Sequence, residues 1–342
     1  MKKILTTLLL LSILSVNAQE KKTVTLMAVG DIMMGTTFPN KSYMPANGVN
    51  PFEKVKDTLA KADVLFGNLE GTLTDTGKNA KHCKDPSKCY SFKSPTFLAQ
   101  YLNSTGFDVM SIANNHIGDF GKVGIKNTKK TLDNNNIAHA GVYSKPDTIF
   151  FKDGVKYGFA AFAPNNDTPK IYNITKAKAR VAKLNATCDI VIVSFHGGAE
   201  GSKHTHVTRK TEKFYGENRG NVYKFAHAVI DAGADVVLGH GPHVSRAVEV
   251  YKNRFIAYSL GNFCTYNRFS LTGVKGLAPI LKLELDNTTG QFLSGKIISA
   301  KQQRGVYPFI DKTNAAYKEI KKLTLADFPE TKLTFLDDGT FY

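Results

Sequence analysis

Four short apolar runs in this chain each stop on an Asp, Asn or His. They read Ala28-Val29-Gly30-Asp31, Ala113-Asn114-Asn115-His116, Val193-Ser194-Phe195-His196 and Leu238-Gly239-His240-Gly241-Pro242-His243. Apolar runs of this length, separated by segments with helical spacing, predict strands alternating with helices and hence a largely parallel sheet. The carboxyl ends of such strands converge on one edge, so groups far apart in sequence meet in one cleft. A carboxylate, an amide oxygen and several imidazoles there form a donor set for a divalent metal of the Zn, Mn or Fe type.

The strand pattern continues along the chain. Strands are expected over 23–29, 63–66, 108–113, 137–142, 157–162, 190–195 and 236–238, with helices over 51–61, 95–104, 122–135, 175–185 and 221–232. From Arg246 to about Ile298 the pattern turns to β, and the tail after Tyr307 reads as mixed helix and loop. The β-rich second half suggests a second sheet stacked on the first, giving an α/β/β/α sandwich. No repeat, low-complexity segment or Gly/Ser linker divides the chain. The expected organisation is a signal peptide over 1–18 and one domain over 19–342, with a core of about 24–300 and a C-terminal extension of about 301–342.

The signal peptide is read from Lys2 and Lys3, an apolar stretch from Ile4 to Val16, and the small-residue cleavage site Val16-Asn17-Ala18. That stretch is about 13 residues, short of the roughly 20 that span a bilayer. An exported protein, periplasmic or extracellular, is expected. Its formal net charge of +16, lowered by two on cleavage, fits a solvated Lys-rich surface or attraction to an acidic polymer. No nucleic-acid-binding module is recognisable, and nucleic acid is not expected as a partner. In an oxidising compartment Cys83 and Cys89, flanking a polar turn, form a local disulfide. A zinc knuckle lacks its second pair. Cys188 and Cys264 read as buried thiols.

Six segments in order carry a resemblance. Gly30-Asp31-Ile32-Met33-Met34-Gly35, Gly67-Asn68-Leu69-Glu70-Gly71-Thr72, Ala113 to Asp119, Ser194 to Glu200, Gly233 to Val244 and Tyr258-Ser259-Leu260-Gly261-Asn262-Phe263 strongly resemble the CapA family of capsule-synthesis proteins. That resemblance spans roughly Val24 to Phe263. It implies a fold of the calcineurin-like metallophosphoesterase type and a role in poly-γ-glutamate or related capsule polymer metabolism. It also implies metal ligands Asp31, Glu70, Asn115, His196, His240 and His243 around one or two divalent ions. His116 takes the place of a general acid, with Asp119 orienting it, and Asn68, Glu200 and Asn262 stand behind the ligands. Three departures stand out. Met33 occupies a position where metallophosphoesterases carry His, Asn68 stands where an acidic bridge is expected, and His240 and His243 are three apart rather than two. A thioether is a poor ligand for such ions, so one of the two metal positions is expected to be weak or absent.

Taken singly, these residues have ordinary readings: Asp31 or Asn262 as a turn cap, Asn114-Asn115 as turn residues, His196 as a satisfied core histidine, Glu70 paired to a lysine. His204 and His206 read as exposed, and His82, His139 and His227 as surface or packing residues. Three functions follow: metal-dependent hydrolysis or transfer on an acidic polymer, a non-catalytic polymer clamp in a membrane synthesis or export complex, and a secreted metallophosphoesterase.

Overall fold

The computed structural model describes residues 23–46, 48–81 and 89–342. The expected signal peptide therefore lies outside the described residues. The N-terminal part lays down β1 (Thr23–Met33), α1 (Lys56–Leu59), β2 (Val64–Leu69), α2 (Ala99–Thr105), β3 (Val109–Ser111), α3 (Gly121–Asn134) and β4 (Ala138–Ala140). The middle adds β5 (Asp147–Lys152), β6 (Val155–Phe162), α4 (Ile174–Asn185), β7 (Ile190–His196), α5 (Val222–Ile230), β8 (Val236–His240), β9 (Val248–Tyr251) and β10 (Arg254–Ala257). The last part supplies β11 (Asn262–Thr265), β12 (Ile280–Asp286), β13 (Phe292–Ile298), α6 (Ala315–Asp327) and β14 (Thr340–Phe341).

Two sheets result. The first runs β14-β13-β12-β1-β2-β3-β4, with β11 also pairing β1, and the second runs β9-β10-β8-β7-β6-β5. Alternation within each strand explains the layering. In β1, Val24, Leu26 and Ala28 enter a core shared with Ile190, Ile192, Val236 and Leu238 of the second sheet. Met27 and Val29, on the other face, pack with Leu59, Leu102 and Leu132 of α1, α2 and α3. In β7, Val191, Val193 and Phe195 turn outward onto Val181 of α4 and Phe225 and Val229 of α5. Strands buried on both faces in this way belong between helical layers. The architecture is the four-layer α/β/β/α sandwich.

Two expectations change. The second sheet is not the β-rich second half; it is the middle of the chain, and the C-terminal strands return to the first sheet. There β12 pairs antiparallel with β1, Val24 opposite Leu285 and Val29 opposite Ile280. Residues 301–342 are built into the layers: Phe341 of β14 is buried with Tyr317 and Ile320 of α6 in the core between the sheets. The second change is the helix expected over 51–61, which shrinks to Lys56–Leu59. Asn50 Oδ1 accepts the Phe52 N–H at 3.0 Å, a side-chain turn that competes with the first helical turn.

Candidate metal centre

The carboxyl ends of β1, β2, β7 and β8 meet at one edge. In the parallel register Asp31 lies opposite both Asn68 and Asn262, and His196 lies opposite His240. Gly30 is required at this edge, because a Cβ there would sit 2.1 Å from the carbonyl oxygen of Gly261. That contact lets the Asp31 N–H reach the same oxygen at 2.9 Å.

Asp31, Asn68, Glu70, His196 and His240 are buried. Asp31 Oδ2 is 2.7 Å from His243 Nδ1 and Asp31 Oδ1 is 3.3 Å from His240 Nδ1. Asn68 Nδ2 donates at 2.8 Å to both Asp31 Oδ1 and Glu70 Oε2. Glu70 Oε1 in turn lies 3.4 Å from His196 Nε2. Glu70, His196 and His243 each bring a donor atom within 4.8 Å of the others. The three-residue spacing of His240 and His243 is absorbed by the backbone: Gly241 takes φ +113° and His243 φ +55°, so both imidazoles reach Asp31.

Burial alone would raise both carboxyls, yet the imidazoles override it. The hydrogen bond from His243 and the nearby imidazole of His240 hold Asp31 far below the usual carboxylate range, and His196 holds Glu70 down to about 2. Burial would lower His243, but its bond to Asp31 pushes it up to about 9. Two ionised carboxylates in a buried cleft call for positive charge.

The residues fit a divalent ion on independent grounds. Both ring nitrogens of His196 and of His240, Glu70 Oε1, Asn68 Oδ1, Asn115 Oδ1 and Asn262 Oδ1 are buried without a hydrogen-bond partner. Buried polar atoms are normally paired, and here so many orphans share one edge. An N/O set of this kind suits Zn, Mn or Fe. Met33 is buried opposite Thr265 and brings no nitrogen donor.

Beside this group, Asn114 Nδ2 donates to Leu69 O at 2.7 Å and Asn114 Oδ1 accepts the His116 N–H at 3.1 Å. His116 Nδ1 lies 2.8 Å from Asp119 Oδ2, which also accepts the Phe92 N–H at 2.8 Å. Lys81 Nζ is 3.1 Å from both His116 Nδ1 and Asp119 Oδ1. Burial and the Lys81 charge push the His116 imidazole below its ordinary value. It rests neutral near pH 7, and in the tautomer whose Nδ1–H donates to Asp119, Nε2 carries the free lone pair. His116 therefore accepts a proton before it can act as an acid.

The roles expected behind the ligands divide. Asn262 Nδ2 donates to the backbone oxygens of His243 and Lys275, at 3.2 and 3.1 Å, and steadies the His243 turn. Asn68 links the two carboxylates. Glu200, expected to orient a ligating histidine, pairs with Arg219 Nη2 at 2.9 Å and adds negative charge near His243. His206 pairs with Asp327 at 2.6 Å, away from the ligands. Cys83 and His82 lie outside the described residues; Cys89 is disulfide-bonded and Cys188 and Cys264 are free. Sequence reading missed Lys81, Phe92 and Phe269. The Phe92 ring lies 4.1 Å from that of His116, Phe269 lies 5.0 Å from Phe92, and Phe269 meets His243 at 5.3 Å. No motif or spacing marks these three, because only the fold brings their loops to this edge.

Residues 25–267 match the family described as "Bacterial capsule synthesis protein PGA_cap". The chain is 30% identical over 271 residues to the capsule biosynthesis protein CapA of Bacillus anthracis, covering 72% of this chain and 61% of that one. It is also 30% identical over 256 residues to the PGA biosynthesis protein CapA of Bacillus subtilis (strain 168), covering 69% and 61%. It thus spans about three fifths of the length of these relatives. Among solved structures, a novel phosphatase from Mycoplasma pneumoniae shares the fold, with a TM-score of 0.51 at 14% identity over 82% of this chain and 95% of that one.

Proposed function

The chain belongs to the family of bacterial capsule synthesis proteins described as PGA_cap, and from that membership we propose that it acts on poly-γ-glutamate or a related acidic capsule polymer, by hydrolysis or transfer at an amide or phosphoester bond. The observation that carries this reading is the convergence of unpartnered buried nitrogens and oxygens on two ionised carboxylates.

Asp31, Glu70, His196, His240 and His243 would hold the ion, with Asn115 adding an amide oxygen. A divalent ion there supplies Lewis acidity and lowers the pKa of a bound water. Asn68 fixes the distance between Asp31 and Glu70. Asp119 and Lys81 hold the His116 ring so that Nε2 accepts or returns a proton at the reacting group. The net charge of +16, lowered by two on cleavage, attracts an acidic chain to the protein. Export follows from the basic start, apolar stretch and small-residue cleavage site at the N-terminus. Among the described residues no helix is long and apolar enough to cross a membrane.

Met33 favours a second reading, a polymer clamp without catalysis, since one imidazole of a two-metal site is replaced by a thioether. Elemental analysis of protein purified without added metal separates the two. One or two equivalents, lost in a His196→Ala, His240→Ala double variant, support the enzyme and justify assays on γ-glutamyl polymer and phosphoesters. Absence of metal after reconstitution leaves the clamp.

A further inference from the structure

Beyond the metal ligands, one half-buried cation stands beside the same edge, packed on two tyrosine rings. Arg268 lies in the loop after β11, with its guanidinium carbon 4.9 Å from the Tyr43 ring and 4.7 Å from the Tyr90 ring. These two tyrosines come from separate loops: Tyr43 O accepts the Thr36 N–H just past β1, and Tyr90 lies two residues before Phe92. Arg268 Nε is sealed from solvent without a hydrogen-bond partner. Among the described residues no carboxylate pairs with this guanidinium. By contrast, the buried Arg246 and Arg219 each face a carboxylate, Glu212 at 2.8 Å and Glu200 at 2.9 Å.

Stacking uses the faces of a guanidinium and leaves its N–H edge for a planar bidentate acceptor. The backbone here is held in an uncommon state: Asn267 takes φ +55° and Arg268 φ +59°. Non-glycine residues occupy that region at a cost, and consecutive ones persist only where the surroundings fix them. The next residue, Phe269, sets the loop against the site, since its ring lies 5.3 Å from His243 and 5.0 Å from Phe92. Arg268 is thus tied by its neighbour to both the proposed ligand His243 and, through Phe92, to His116.

We infer that Arg268, packed against Tyr43 and Tyr90, is a substrate-recognition residue that binds a carboxylate of a γ-glutamyl unit and positions the neighbouring bond at the metal centre. This rests on reading the cleft as one that handles an acidic polymer. A carboxylate matches the bidentate N–H edge, and Phe269 accommodates the apolar methylenes of the same unit. Diffuse attraction by surface lysines gives no such register, because flexible ammonium groups act as point charges.

The test is calorimetric titration of the full mature protein with a γ-linked glutamate oligomer, and with the same oligomer carrying amides in place of its free carboxylates. Wild type, Arg268→Ala, Arg268→Lys and the exposed control Lys178→Ala are compared, with circular dichroism and metal content confirming the fold. Arg268→Ala is expected to weaken the acidic oligomer at least about tenfold, Arg268→Lys by less, and Lys178→Ala by under about twofold. The amidated oligomer should bind weakly and equally to all four. Unchanged affinity in a folded Arg268→Ala overturns the assignment while leaving the polymer reading intact. Failure of the wild type to bind the acidic oligomer overturns both.

Discussion

Replacing His196 by Leu separates an imidazole built for a metal from one built for the core. His196 is fully buried, and neither ring nitrogen has a hydrogen-bond partner. A buried polar group left unsatisfied costs about 1–3 kcal/mol. Leucine has comparable bulk and no polar atom, so in metal-stripped protein the substitution removes that cost. Part of the gain is offset. Burial pushes the Glu70 carboxyl up, the His196 charge holds it down to about 2, and the variant loses that neighbour at 3.4 Å. The expected net effect in chelator lies between no change and a gain of about 2 kcal/mol. Metal reverses the order. At a free concentration of a hundred times Kd, the wild type gains about 2.7 kcal/mol, on the order of 5 °C in Tm for a chain this long, and the variant gains far less. Urea unfolding with EDTA and then with added manganese or zinc reads both numbers. A loss of about 3 kcal/mol or more in chelator, with a wild type indifferent to metal, would refute the reasoning and make His196 a satisfied core residue.

Three further predictions follow from the same geometry. Gly30→Ala places a Cβ 2.1 Å from Gly261 O; it should cost about 1–3 kcal/mol in stability and weaken metal binding about tenfold or more, checked by unfolding and metal titration. Asn68→Ala removes the donor shared by Asp31 and Glu70; metal affinity should fall about 10–100-fold, and unchanged affinity would show that the carboxylates need no bridge. Asp235 is pushed up to about 6 by burial, against the Val191 N–H and Arg254. Because its folded pKa is raised, its contribution is fully present below about pH 3.8 and lost as pH rises through 6, an effect of about 3 kcal/mol. Between pH 3.5 and 7 the stability of wild type relative to Asp235→Asn should fall by that amount in urea titrations; a constant difference would mean the carboxylate is held ionised at ordinary pH.

Much of the site was legible as strand endings. Asp31, His196 and His240 each follow an apolar run; parallel pairing aligns His196 with His240, and stacking of the two sheets brings Asp31 to them. His243 was legible only in part. Its three-residue offset read as a departure, and the positive φ values at Gly241 and His243 turned it back onto Asp31. The Arg219 partner of Glu200 is not legible, because it comes from a short hairpin, Glu212–Phe214 with Glu217–Gly220, that has no strong periodic signal. The helix over 51–61 was overextended because helical spacing does not report the competing Asn50 turn.

The sequence by itself determined the layers and the chemistry available to them: the continuous apolar runs of β1 and β7 demand packing on both faces, and the polar residues ending those strands supply nitrogen and oxygen donors. Tertiary structure decided which strands share a sheet and which groups touch. β12 returns to β1 across more than 240 residues, and Lys81, Phe92, Arg268 and Phe269 reach the cleft from loops. Strand and helix periodicity are local, set by backbone geometry within a few residues. Pairing across long separations is decided by the burial of whole faces at once, which no single segment encodes.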